Sequence, residues 1–160
     1  MIIPRQFHVL ETEHWLVNHR INSALPGYLM IGARQQVSQL SELPPEALSQ
    51  LGLLLAKAER ALRHLFKAER VYSGRYGHSP GHTPHFHVIP IYGWVEDLFW
   101  KDERYRVLNR FAEGPGETDT DGAEMTLFVW REFCERQVPP PIQGPSVEEA
   151  IVLLRAAMAE

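Results

Sequence analysis

Cys134 is the only cysteine in this 160-residue chain, so neither an intramolecular disulfide nor a zinc site built from several thiolates is available to it. No apolar run approaches the ~18 residues that a membrane span requires. The first residues, Met1 to His8, lack the basic segment and long apolar stretch of a secretory signal. The expectation is a cytoplasmic protein with no membrane partner. An excess of one charge is missing too: 16 Lys and Arg are interspersed with 20 Asp and Glu, for a formal net charge of −4. Such a balance gives no footprint for wrapping duplex nucleic acid or docking on anionic lipid. A small phosphate-bearing ligand is compatible with it, because a few local donors can hold one.

What remains is an ordinary soluble composition with one unusual count. Hydrophobic residues make up 44% and charged residues 22%, and the length suits one domain, residues 1–160, able to bury a core without disulfides. There are eight histidines. His78, His82, His85 and His87 fall within one short stretch.

His14 to Asn18 and Tyr28 to Ile31 read as short strands, the second entered through Pro26-Gly27, and the two suit a hairpin. From Pro44 to about Lys67, Leu48, Leu51, Leu54, Leu55, Ala58, Leu62, Leu65 and Phe66 recur at three and four, which predicts a long helix with its prolines in the first turn. Arg70 to Ser73 and Thr83 to Tyr92 follow as strand candidates. Pro84 and Pro90 place the latter near a sheet edge or bound it. Gly114-Pro-Gly116 marks a turn. Asp121 to about Arg136 reads as a helix with Met125, Phe128, Val129, Trp130 and Phe133 as its packing stripe. Ser146-Val-Glu-Glu149 matches a capping box ahead of a last helix. Strands, a long helix, more strands and then helices gathered toward the C-terminus make an α+β pattern.

Within the segment Thr83-Pro-His-Phe-His-Val-Ile-Pro90, strand alternation turns His85 and His87 to one side and Phe86 and Val88 to the other. A neutral imidazole can attack phosphorus, and a protonated neighbour can hold the non-bridging oxygens. On its own a His-x-His pair is open to catalysis, metal binding or a solvated strand face.

Pro84-His-Phe-His-Val-Ile-Pro90 resembles the end of the histidine-triad (HIT) motif. Trp15 to Asn18, Pro26 to Ile31, and Val37 to Leu43 leading into the long helix resemble the order of elements in that family, over roughly residues 10–95. The chain resembles bacterial HIT family nucleotide hydrolases of the diadenosine tetraphosphate hydrolase type. The resemblance implies a HIT-like α+β fold, with an antiparallel sheet, a long helix after the first strands, and further C-terminal helices beyond about residue 96. It also implies a homodimer without a cofactor, hydrolysing or transferring nucleotidyl groups from dinucleoside polyphosphates or nucleoside phosphoramidates through a covalent nucleotidyl-histidine.

Anchored on Val88-Ile-Pro90, the resemblance makes His85 the nucleophile and His87 the last, phosphate-contacting histidine, and puts Thr83 in the first triad position. Anchored on Gly81-His-Thr83, it moves the nucleophile to His87. His82 is the neighbour placed to fill the altered position. By position in the family's pattern, Asn18 is the candidate ribose contact, with Asn22 as rival; Arg75 is a candidate phosphate contact, and Ser79 a donor to the leaving group. Two other readings stand beside this one: a metal protein using His78, His82, His85 and His87, and a nucleotide-binding module without catalysis. His8, His14, His19 and His64 are expected at the surface, and Trp130 with Phe133 in core or dimer packing rather than in a ligand site.

Overall fold

The computed structural model describes residues 2–76, 82–105 and 122–159. The turn expected at Gly114-Pro-Gly116, along with His78 and Ser79, lies outside them. Among the described residues, β1 (His8–Glu11), β2 (Trp15–His19), β3 (Leu29–Ala33), β4 (Arg70–Gly74) and β5 (His85–Ile91) form one sheet in the order β1-β2-β3-β5-β4, every neighbour antiparallel. The expected β2–β3 hairpin forms, with Gly27 at φ 81° in its connection. No helix among the described residues is long and apolar enough to cross a membrane.

Helix α1 (Pro45–Phe66) follows the predicted span. It starts with Pro45 in its first turn and ends at Lys67, whose φ of 57° breaks the helix while its N–H still bonds the Leu62 carbonyl. Cross-strand partners share a face, and one face of the sheet carries Trp15, Val17, Leu29, Ile31 and Val88, all fully buried. Helix α1 covers this face, and the Trp15 indole N–H donates to the Ala47 carbonyl at 2.8 Å. Helix α4 (Val147–Ala159) packs against β1 and α1. Its predicted capping box is formed: the Glu149 carboxylate accepts from the Ser146 N–H at 2.8 Å, and the Ser146 hydroxyl from the Glu149 N–H at 3.1 Å. Helix α2 (Gly93–Lys101) and helix α3 (Ala123–Trp130), which runs on into a π-helical turn at Arg131–Glu135, are the other α-helices among the described residues.

Three expectations are corrected. Strand β5 lies inside the sheet, between β3 and β4, although it contains Pro90. Because the Ile91 carbonyl accepts from Glu69 on the β4 side, the main chain of Pro90 faces the β3 side, and β3 pairing has already ended at Val88. The missing N–H is therefore not needed. His19 is wholly buried, not at the surface, with its ring nitrogens 2.9 and 3.1 Å from the carbonyls of Arg20 and Leu25. Of the pair expected in core or dimer packing, Phe133 is buried in the core, whereas Trp130 is 40% exposed and lies outside it. Strand β1 and helix α2 carry no strong sequence signal; β1 is drawn into the sheet by pairing with β2 and by the cover of α4.

Candidate active site

The face of the sheet opposite α1 holds the histidine pair. Asn18, Met30 and His87 stand in one cross-strand row, and Leu16, Gly32 and His85 in the next. The alternation that buries Phe86 and Val88 toward α1 thus delivers both imidazoles, their ring centres 5.5 Å apart, to the other side. Gly32 puts no side chain beside His85.

The hydrogen bonds set the roles of the two rings. Nδ1 of His85 lies 2.9 Å from the main-chain carbonyl of Thr83. A carbonyl only accepts, so Nδ1 carries the proton, and in the neutral ring the Nε2 lone pair is free to act as a nucleophile. Nδ1 of His87 lies 2.9 Å from the Tyr28 hydroxyl, and Arg20 donates to the same hydroxyl at 2.7 Å. With its oxygen accepting from a guanidinium, Tyr28 gives its single proton to His87. The neutral His87 ring then carries its proton on Nε2 and offers it as a donor.

Electrostatics hold this arrangement. Burial pushes the Tyr28 phenol up to about 12, so it keeps its proton. Burial first, then the charges of Arg20 and His85, bring His87 down to about 4. His87 is therefore neutral at pH 7, in contrast to the protonated neighbour expected from the sequence. It works as a neutral N–H donor, and the nearby fixed cation is Arg20.

Two cavities meet at this pair, and His82, His85, His87 and Arg20 border both. One, of about 510 Å³, extends over the β2 and β3 side past Asn18, Asn22, Met30, Gly32 and Thr83. The other, of about 380 Å³, is walled by Tyr28, Tyr76, Leu127 and Trp130. Asn18, His82 and Thr83 are thus brought to the histidine pair. The His82 ring centre lies 6.2 Å from that of His85. Arg75 is not brought in: its guanidinium donates to the Ser38 carbonyl at 3.1 Å, and it borders neither cavity. Among the described residues no group of three or more His, Cys, Asp or Glu is placed to hold a metal ion.

Residues 4–93 match the model of the HIT domain. The chain belongs to the HIT family. A comparison with curated proteins finds no match, whereas solved structures share the HIT fold. A zinc-bound histidine triad family protein from Mycobacterium smegmatis is 18% identical, with a TM-score of 0.54, the likeness covering 96% of this chain and 84% of that one. A HIT-like protein from Bartonella henselae is 16% identical over 97% of this chain and 88% of its own, TM-score 0.55. The diadenosine triphosphate hydrolase of Plasmodium falciparum is 17% identical over 57% of this chain and 65% of its own, TM-score 0.51.

Set on the HIT fold, the residues that sequence reasoning missed are Arg20, Tyr28 and Trp130. Arg20 follows Asn18 by two positions, past the end of β2, and carries no local signal; its bond to Tyr28 and its place at the border of both cavities reveal it. Tyr28 reads as one more β-prone aromatic. Trp130 lies outside the HIT match altogether.

Proposed function

We propose that this HIT protein is a nucleotidyl hydrolase or transferase acting on a dinucleoside polyphosphate or nucleoside phosphoramidate, with His85 as nucleophile. The observation that carries the reading is the Nδ1–H bond of His85 to the Thr83 carbonyl, which directs a basic Nε2 into a cavity beside a second imidazole. In the first step Nε2 attacks the α-phosphorus. A P–N bond forms and the bond to the leaving group breaks: a polyphosphate departs with the electron pair on its oxygen, and an amine departs neutral, its nitrogen taking a proton from solvent as the bond breaks. His87 Nε2–H donates to an oxygen of the phosphoryl group or to the leaving atom. The imidazolium created on His85 keeps its Nδ1–H on the Thr83 carbonyl. Water then displaces His85 from phosphorus, releasing the nucleoside monophosphate, and the proton lost by the water leaves with the products.

The altered triad position fits this reading. The group that orients His85 is a main-chain oxygen, which Thr83 supplies as well as a histidine would. The rival register, with His87 as nucleophile, is disfavoured because the Nδ1 of that ring accepts from Tyr28 and its Nε2 holds the proton. Asn18 takes the ribose side and Thr83 and His82 flank the phosphate. A cytoplasmic homodimer is the setting the family resemblance implies. The name of the Plasmodium relative, a diadenosine triphosphate hydrolase, supports the substrate class.

The test is His85→Ala, assayed for release of nucleoside monophosphate from a diadenosine polyphosphate and from adenosine phosphoramidate. Loss of product by a factor of roughly 10³ or more, with the far-UV circular dichroism unchanged, is expected for removal of a covalent nucleophile. Undiminished turnover would overturn the assignment.

A further inference from the structure

Helix α3 carries large apolar side chains on two sides, with Glu124 and Thr126 as its buried polar residues. One stripe, Met125, Phe128 and Val129, is buried in the core, as a helix packed on a domain requires. The remaining large apolar side chains, Leu127 and Trp130, are 41% and 40% exposed and border the 380 Å³ cavity, as does Tyr76, also 40% exposed, whose ring centre lies 5.3 Å from that of His87. Three large apolar groups left in water around one concavity of ligand size are the mark of a binding surface. Arg20 connects this wall to the histidines: its guanidinium carbon lies 5.0 Å from the Tyr28 ring centre and 5.6 Å from that of Trp130. A cation at the border of both cavities, beside His85 and His87, suits a phosphate at the seam.

The two sides of that seam differ in chemistry. Asn18, Asn22 and Thr83 give the larger cavity polar groups fit for a ribose, whereas the smaller is bordered chiefly by aromatic and aliphatic side chains. We propose that the α3 cavity is the leaving-group subsite and that it takes a planar aromatic group, a second nucleobase or an aromatic amine, held against Trp130. The inference rests on the nucleotidyl-transfer reading above, and it assigns to a helix outside the HIT match the selection of what departs from phosphorus.

The experiment compares three ligands by calorimetry on the full chain in the His85→Ala background, where turnover is blocked: AMP, its N-methyl amide and its N-(2-naphthylmethyl) amide. With Trp130 present, the naphthylmethyl amide binds tightest. Trp130→Ala weakens that ligand alone, by about tenfold, the scale of one lost aromatic stack, and leaves AMP and the methyl amide within about twofold. Leu127→Ser, on the same wall, reduces the same preference and serves as the reading should Trp130→Ala fail to fold. Equal weakening of all three ligands would place the nucleoside itself on Trp130 and overturn the subsite. Unchanged binding of the naphthylmethyl amide in both variants would overturn it too. Failure of AMP to bind with Trp130 intact would instead overturn the nucleotide reading, and the subsite with it.

Discussion

The Tyr28 hydroxyl stands between a guanidinium and an imidazole, accepting from one and donating to the other. Phenylalanine at this position would keep the ring, which is almost entirely buried, and delete both the proton that fixes the His87 tautomer and the oxygen that accepts from Arg20. Tyr28→Phe is expected to lower kcat by roughly 10- to 100-fold, part of what a positioned proton donor supplies, with little change in KM. A steady-state comparison with wild type checks this, and an equal kcat would show that His87 does not depend on Tyr28. Such pairwise dependence is where sequence reading stops. His85 and His87 are legible because a period of two and one short motif suffice to find them. Arg20 and Tyr28 matter through a bond between ring and hydroxyl whose partners are 59 residues apart, and no local pattern encodes that. Arg75, whose place in a loop suggests a phosphate contact, donates instead to the Ser38 carbonyl, a bond that no local pattern encodes either.

At the level of elements, two glycines near the site carry different constraints. Gly27, at φ 81°, lies where a Cβ would come within 2.8 Å of both Leu62 on α1 and the Tyr92 hydroxyl. Gly32 has an ordinary backbone, and a Cβ there would meet His85 at a comfortable 3.9 Å. Gly27→Ala should therefore cost more than ~1 kcal/mol and displace the start of β3, whereas Gly32→Ala should leave stability within about 0.5 kcal/mol. Urea titrations of both variants test the contrast; equal midpoints would refute it. Helix α1 was readable in full because Leu and Ala spacing, prolines at the start and a packed face all agree. The interior place of β5 was not, since the harmlessness of Pro90 depends on where β3 stops. The reach of α3 into a cavity was equally hidden: an exposed and a buried tryptophan look alike in a helical stripe.

For the whole molecule, buried histidines tie stability to pH. Burial lowers His19, and burial with the charges of Arg20 and His85 brings His87 to about 4. In the unfolded chain both titrate near 6.5. As pH falls below ~6.5, the unfolded state binds protons that the folded state refuses. The stabilisation present above ~6.5 is thus lost progressively toward pH 4. Asp102 and Glu132, whose carboxyls Arg104 and Tyr105 hold low, add a loss only in more acid solution. The urea midpoint should fall between pH 7.5 and 5, and His87→Asn should flatten part of that fall. A midpoint constant across this range would contradict the picture. The α+β class was open to sequence reading because it follows from the order of elements. The coupling of the C-terminal helices to the site was not, as it lies in contacts between segments more than a hundred residues apart.

Those contacts bear on synthesis. The loop after β2 is tied to the segment following α3: Ala24 donates to the Phe133 carbonyl, and Asn22 reaches the carbonyl of Cys134, 112 residues further on. On a ribosome adding ~5–20 residues per second, the strands bearing His85, His87 and Asn18 emerge seconds before α3 does. A nascent chain can therefore bring together the histidine pair and Asn18 while the wall bearing Trp130 is still to come. The cleft thus stays half-built until the last third of the chain has left the ribosome.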